Sequence, residues 1–147
     1  GAQYVNWNDM MAASLISVLP VPEKEKDKFC KTHPVCREFS CIYSAVEAGK
    51  EIGWFSVREE ENRLVIPQMQ LTGRAAGEAM SEEEKLLAEL MIRSAASYAL
   101  NRYIPEISCE EASLESFLPE LKFEKDSVGI YTIKLQKLIH KCAGCQN

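Results

Sequence analysis

Histidine is nearly missing from this sequence. Only His33 and His140 occur in 147 residues, far apart in the chain. There is no His-Glu-x-x-His helix and no Gly-x-Ser-x-Gly turn, which excludes the common zinc-peptidase and serine-hydrolase signatures. No apolar run approaches the roughly 20 residues that cross a bilayer as a helix. A basic excess is missing too. Lys and Arg total 17 against 22 Asp and Glu, and the formal charge of -5 argues against a general binder of nucleic acid or anionic membrane. There is no internal repeat and no low-complexity tract. The chain opens Gly1-Ala2-Gln3 without methionine, as expected of a processed chain, a mature secreted form or an excised domain.

What is present is ordinary for a folded protein: 46% hydrophobic and 27% charged residues. The length suits one domain over residues 1–147. Trp7, Met10, Met11, Ser14, Leu15 and Val18 recur at helical spacing, which predicts a first helix over Trp7–Leu19 stopped by Pro20 and Pro22. The charge run Glu23 to Lys28 reads as a solvated loop or frayed turn.

From Glu38 to Leu71 the pattern alternates. Segments around Phe39–Val46, Ile52–Val57 and Leu64–Leu71, separated by Gly49 and the polar turn Glu59–Asn62, predict a three-stranded antiparallel meander, with a helix over 38–48 as the competing reading of the first segment. Pro67 cannot donate to a ladder, so the third strand is expected at an edge or with a bulge there. Ser81 and Glu84 then form a capping box, and Leu87, Leu90, Met91, Ser94, Ala95, Tyr98 and Ala99 make an apolar stripe widened by Leu86, Ile92 and Leu100. This long helix ends near Tyr103. Ser108 with Glu111 repeats the capping pattern and predicts a short helix. Leu121–Glu124 and Val128–Leu135 predict a hairpin, and Leu135, Leu138 and Ile139 begin a last helix. The expected fold class is α+β: an antiparallel sheet of about five strands, meander plus hairpin, packed on one long helix with short flanking helices.

Chemistry is hard to find in these residues. Thr72-Gly73-Arg74-Ala75-Ala76-Gly77 lacks the Lys-Ser/Thr of a P-loop and the spacing of a dinucleotide fingerprint, so it reads as a strand-to-helix connection. A nucleotide- or phosphate-handling enzyme is not expected, and no catalytic residue is assigned. The carboxylates of Glu59–Glu61 and Glu82–Glu84 read as a turn and a helix start.

The pointed features are two clusters, Cys30-x-x-His33-x-x-Cys36 and His140-x-Cys142-x-x-Cys145. Two thiolates three residues apart can chelate one ion, and Cys30, His33, Cys36, His140, Cys142 and Cys145 together could supply a zinc or iron–sulfur site, or a redox dithiol. Cys41 and Cys109 read as small buried hydrophobes. The even number of cysteines also permits full disulfide pairing.

Three function classes follow. The first is a non-catalytic ligand- or partner-binding domain of sensory, regulatory or adaptor type. Trp54, Phe55, Met69 and Tyr98 would line its pocket, with a small molecule or protein as partner and a homodimer as one form. In topology alone the element order resembles type III secretion chaperones, and the long helix resembles the closing helix of GAF domains. The second class is a metal-binding or redox-responsive protein built on the six Cys and His residues. The third is a secreted structural domain with disulfides. The expected location is cytoplasmic, with secretion as the alternative; no nucleic acid and no membrane insertion are expected.

Overall fold

One sheet of eight strands organises the protein. The computed structural model describes residues 15–36, 38–74 and 77–143, with side chains followed through residue 139. The strands are β1 (Ile16–Pro20), β2 (Cys41–Glu47), β3 (Lys50–Glu60), β4 (Arg63–Ile66), β5 (Met69–Leu71), β6 (Glu106–Cys109), β7 (Glu124–Lys125) and β8 (Tyr131–Lys134). Helices α1 (Lys26–Thr32), α2 (Glu82–Asn101) and α3 (Leu135–Ala143) complete the framework. The order across the sheet is β1-β2-β3-β4-β6-β8-β7, with β5 continuing the line of β4 along β3. Among the described residues every pairing is antiparallel except β4 with β6.

The α+β class stands, and the sheet exceeds the expected five strands. The meander is present: Ala48 and Gly49, both at positive φ, make the tight two-residue link between β2 and β3. Three differences have physical causes. Ile16–Pro20 is a strand, because it pairs residue for residue with Tyr43–Glu47 of β2; residues 7–14 of the expected first helix lie outside the described residues. Ser108 does not open a helix but lies inside β6, opposite Val65 of β4 and Thr132 of β8. Pro67 lies inside the sheet and not at its edge, and the bulge alternative is realised: β4 ends at Ile66, the Ser56 amide still donates to the Gln68 carbonyl, and β5 resumes the pairing with β3 in a register shifted by one residue.

Helix α2 starts as its sequence dictates. Ser81 accepts from the Glu84 amide and Glu84 accepts from the Ser81 amide. It buries Leu87, Ala88, Met91, Ile92, Ala95, Ala96, Tyr98 and Ala99 against the sheet, whereas Leu86 and Leu100 are exposed, so the apolar face is narrower than the sequence pattern indicates. The main core joins α2 to Phe55, Val57, Ile66, Met69, Ile107 and Leu118. A smaller core on Val21, Ile42 and Trp54 lies under α1, with Phe29, Cys30, Val35 and Phe39 packed against it. Neighbouring Trp54 and Phe55 therefore serve different cores, as strand alternation requires. Gly53 permits the closest approach: a Cβ there would lie 3.0 Å from the Gln70 carbonyl oxygen.

Candidate functional site

Parallel strands β4 and β6 pair through Leu64–Ile107, Val65–Ser108 and Ile66–Cys109, and then separate. The Glu110 amide makes the last backbone bond, 2.9 Å to the Ile66 carbonyl. Beyond it β5 stays with β3, while the other chain turns into a 3-10 segment, Ala112–Leu114. The sheet thus opens at the carboxyl ends of a parallel pair, the place where open α/β sheets receive ligands. Along β5 the bonds to β3 use Gln68 at one end and Thr72 at the other, so the intervening odd residues turn their backbone groups towards the opening. The Met69 amide donates 3.0 Å to Glu111 Oε1, and Gln70 Nε2 donates to the same oxygen at 3.0 Å. Ser113 holds the other oxygen through its amide at 3.4 Å and its hydroxyl at 2.9 Å.

The loop from β5 to α2 carries Gly73 at φ +80 and Gly77 at φ +86, and a Cβ on either would meet open space. Arg74 lies in this loop, and its guanidinium donates to the Glu78 carbonyl. The first turn of α2 holds Glu82, Glu83 and Glu84 behind the capping box. An anion is therefore not favoured at the helix end itself, despite the dipole.

On the α1 face, a cleft of about 410 Å³ runs from this loop to the start of β3, lined by His33, Glu51, Trp54, Gln70, Thr72, Gly73 and Arg74. His33 Nε2 lies 3.0 and 3.1 Å from the two oxygens of Glu51, while Nδ1 lies 3.0 Å from the Phe29 carbonyl and 2.9 Å from Thr32 Oγ1. The imidazole is stacked on Phe29 with 3.6 Å between centroids and meets Trp54 edge-on. Both ring nitrogens are thus engaged, so His33 serves to orient Glu51, whose carboxylate faces the cleft beside Trp54. Gln68 anchors the loop above: its side-chain oxygen accepts from the Cys36 amide at 2.7 Å, and its Nε2 donates to the Pro34 carbonyl at 2.8 Å.

Of the residues singled out in the sequence, Trp54 walls this cleft. Phe55 and Met69 are fully buried in the main core, although the Met69 amide reaches the opening. Tyr98 is buried and donates to Glu59, under the Arg102 guanidinium at 3.7 Å; burial first and then Glu59 push its phenol pKa well up. Among the described residues no three His, Cys, Asp or Glu side chains gather as a metal site. His33 is committed to Glu51, Cys30 is half-buried and Cys36 is exposed. The side chains of His140 and Cys142, and all of Cys145, lie outside the described residues. Cys30, Cys36, Cys41 and Cys109 are free thiols, which overturns the three-disulfide scaffold. Cys109 sits at the last paired position of β6, and burial pushes its thiol up to about 12. Glu51 and Gln70 were not singled out in the sequence, and Glu111 was read only as a helix cap. The available signal was the pair of glycines between an apolar strand and a capped helix.

No protein-family model matches the sequence, and no curated protein matches it. Solved structures do match in fold. The ribosomal-protein-S18-alanine N-acetyltransferase of Escherichia coli superposes with a TM-score of 0.56 at 6% identity, covering 82% of this chain and 94% of that one. A GNAT-family acetyltransferase of Staphylococcus aureus gives 0.57 at 10% identity, covering 82% and 99%. The solution structure of E. coli YhhK bound to coenzyme A gives 0.53 at 12% identity, covering 81% and 98%. At these identities the likeness is one of fold. It corrects the two topology analogies drawn from the sequence, and the reading as a non-catalytic sensory or adaptor domain gives way with them: the architecture is the one on which these acetyltransferases are built. Among the described residues no helix is long and apolar enough to cross a membrane.

Proposed function

We propose that the protein is an acyltransferase that moves an acyl group from a coenzyme A thioester to an amine. The observation that carries this reading is the opening of the sheet beyond Ile66 and Cys109, beside a glycine-bearing loop, in a fold shared with a protein bound to coenzyme A.

The residues present fit the donor. Its extended amide-bearing arm suits the parted edge of β5, as peptides added to sheets do, where the Met69 amide, held by Glu111, is the backbone donor it would engage. The phosphates suit the loop around Gly73 and Gly77, where left-handed backbone and missing Cβ atoms leave room, with Arg74 as a cation in the same loop. Coenzyme A, when bound, supplies the acyl group as an activated thioester. The chain's own part is to place the amine. Glu51, fixed by His33, can hold an ammonium group and take its proton, and Trp54 gives the cleft an apolar wall that also favours a cation.

The test is calorimetric titration with coenzyme A and acetyl-coenzyme A, followed by thiol release against a panel of amines. Saturable one-to-one binding and amine-dependent thiol release are expected. Glu51→Gln should lower kcat by roughly 100-fold while leaving coenzyme A affinity unchanged. Absence of both binding and thiol release would refute the reading.

A further inference from the structure

We infer that Glu111 is an internal occupant of the sheet opening: its carboxylate holds the backbone donor that an incoming ligand needs, and it must leave before the ligand can bind. The inference rests on the acyl-coenzyme A reading and adds a self-blocking contact to that site.

The arrangement is unusual for a sheet. Where two strands part, the freed backbone groups are normally left to water or covered by a helix or loop. Here one side chain takes the place of the missing strand. Glu111 Oε1 accepts from the Met69 amide and from Gln70 Nε2, both at 3.0 Å, so a single oxygen occupies the backbone donor and the nearest side-chain donor of β5. Oε2 is held by Ser113 Oγ at 2.9 Å, which anchors the carboxylate from its own side of the opening. A ligand carbonyl directed at the Met69 amide would meet this oxygen first. The block is also electrostatic, because a polyphosphate ligand approaching β5 meets a carboxylate in the same opening.

The contact can be released. Glu111 follows the last residue bonded across the parallel pair, Glu110, and precedes a single 3-10 turn, so side-chain rotation frees it without breaking the β4–β6 ladder. Its departure exposes two donors together, the Met69 amide and Gln70 Nε2. Coenzyme A binding then includes the cost of removing Glu111, and an affinity reduced by this closed population is the expected signature.

The experiment is coenzyme A titration by calorimetry on the full chain, with hydrogen exchange at the Met69 amide. The variants are Glu111→Ser, which keeps a capping oxygen for Ser113 but is too short to reach β5, and Glu111→Gln, which keeps an acceptor at the same reach. In Glu111→Ser the ligand-free Met69 amide should exchange faster, and coenzyme A should bind roughly tenfold more tightly than to wild type. Glu111→Gln should keep the Met69 amide protected. Wild-type binding with equal or weaker affinity in Glu111→Ser would overturn the blocking role and leave the acyltransferase reading standing. No coenzyme A binding by wild type or by either variant would remove both.

Discussion

Replacing Gly53 with alanine puts two effects of opposite sign at one position. Within a strand, alanine normally outperforms glycine by about 0.5–1 kcal/mol, because glycine loses more freedom on folding. Here the added Cβ would lie 3.0 Å from the Gln70 carbonyl oxygen, 3.2 Å from Met91 Cε and 3.4 Å from Met91 Sδ. The methionine end is flexible and can swing away. The carbonyl cannot, because Gln70 is fixed in the ladder opposite Trp54. Overpacking of this kind costs about 1–3 kcal/mol, so the expected net effect is a loss of about 1–2 kcal/mol. For a chain of this size each kcal/mol lowers Tm by roughly 2–4 °C. Urea unfolding should show a lower midpoint at unchanged m. Adding Met91→Leu should restore little, since the carbonyl is the obstacle. Gly49→Ala serves as the control: its Cβ has open space and its φ is +77, so its cost of about 1 kcal/mol is purely conformational. Gly53→Ala as stable as wild type would refute the packing argument and mean that β5 can slide away from β3.

Two further outcomes follow from the titrating groups. The Tyr98 phenol is raised above its unfolded value of about 10 by burial and Glu59, so its contribution is complete below about pH 10 and lost as pH rises towards the folded value. Tyr98→Phe should cost about 1–2 kcal/mol at neutral pH and flatten the alkaline decline of the urea midpoint, and an unchanged decline would contradict this. An aromatic disulfide reagent should modify exposed Cys36 in native buffer and buried Cys109 only on unfolding; comparable native rates would show that β6 opens locally.

Several local elements were legible from their residue patterns. The Ser81–Glu84 capping box, the alternation from Cys41 to Val57 and the start of the last helix at Leu135 all appear in the structure. Legibility failed where tertiary pairing chose between local alternatives. Ile16–Pro20 continues a helical periodicity but finds an edge beside β2, and Ser108 has a cap's spacing from Glu111 but lies in β6, between β4 and β8. The site was obscure for the same reason. Its opening is created by two strands about 40 residues apart in the chain that agree in direction for three residues and then part, and no local pattern records that. Glu111 read as a cap, and in the structure it caps Ser113 while also spanning the opening. The cysteines drew attention by number and spacing, but the described ones are free thiols in unrelated places.

The parallel pair also bears on the order in which the chain acquires structure. Strands β2, β3, β4 and β5 follow one another through short links and can pair as soon as they emerge. Strand β6 cannot join until α2 has crossed the sheet face, and β8 and β7 attach only through β6. A nascent chain ending after α2 would have the glycine-bearing loop and the His33–Glu51 pair but no opening, because one of its two walls would not yet exist. On the acyltransferase proposal, the site would be completed only late, when the last third of the chain has added the second wall of the opening.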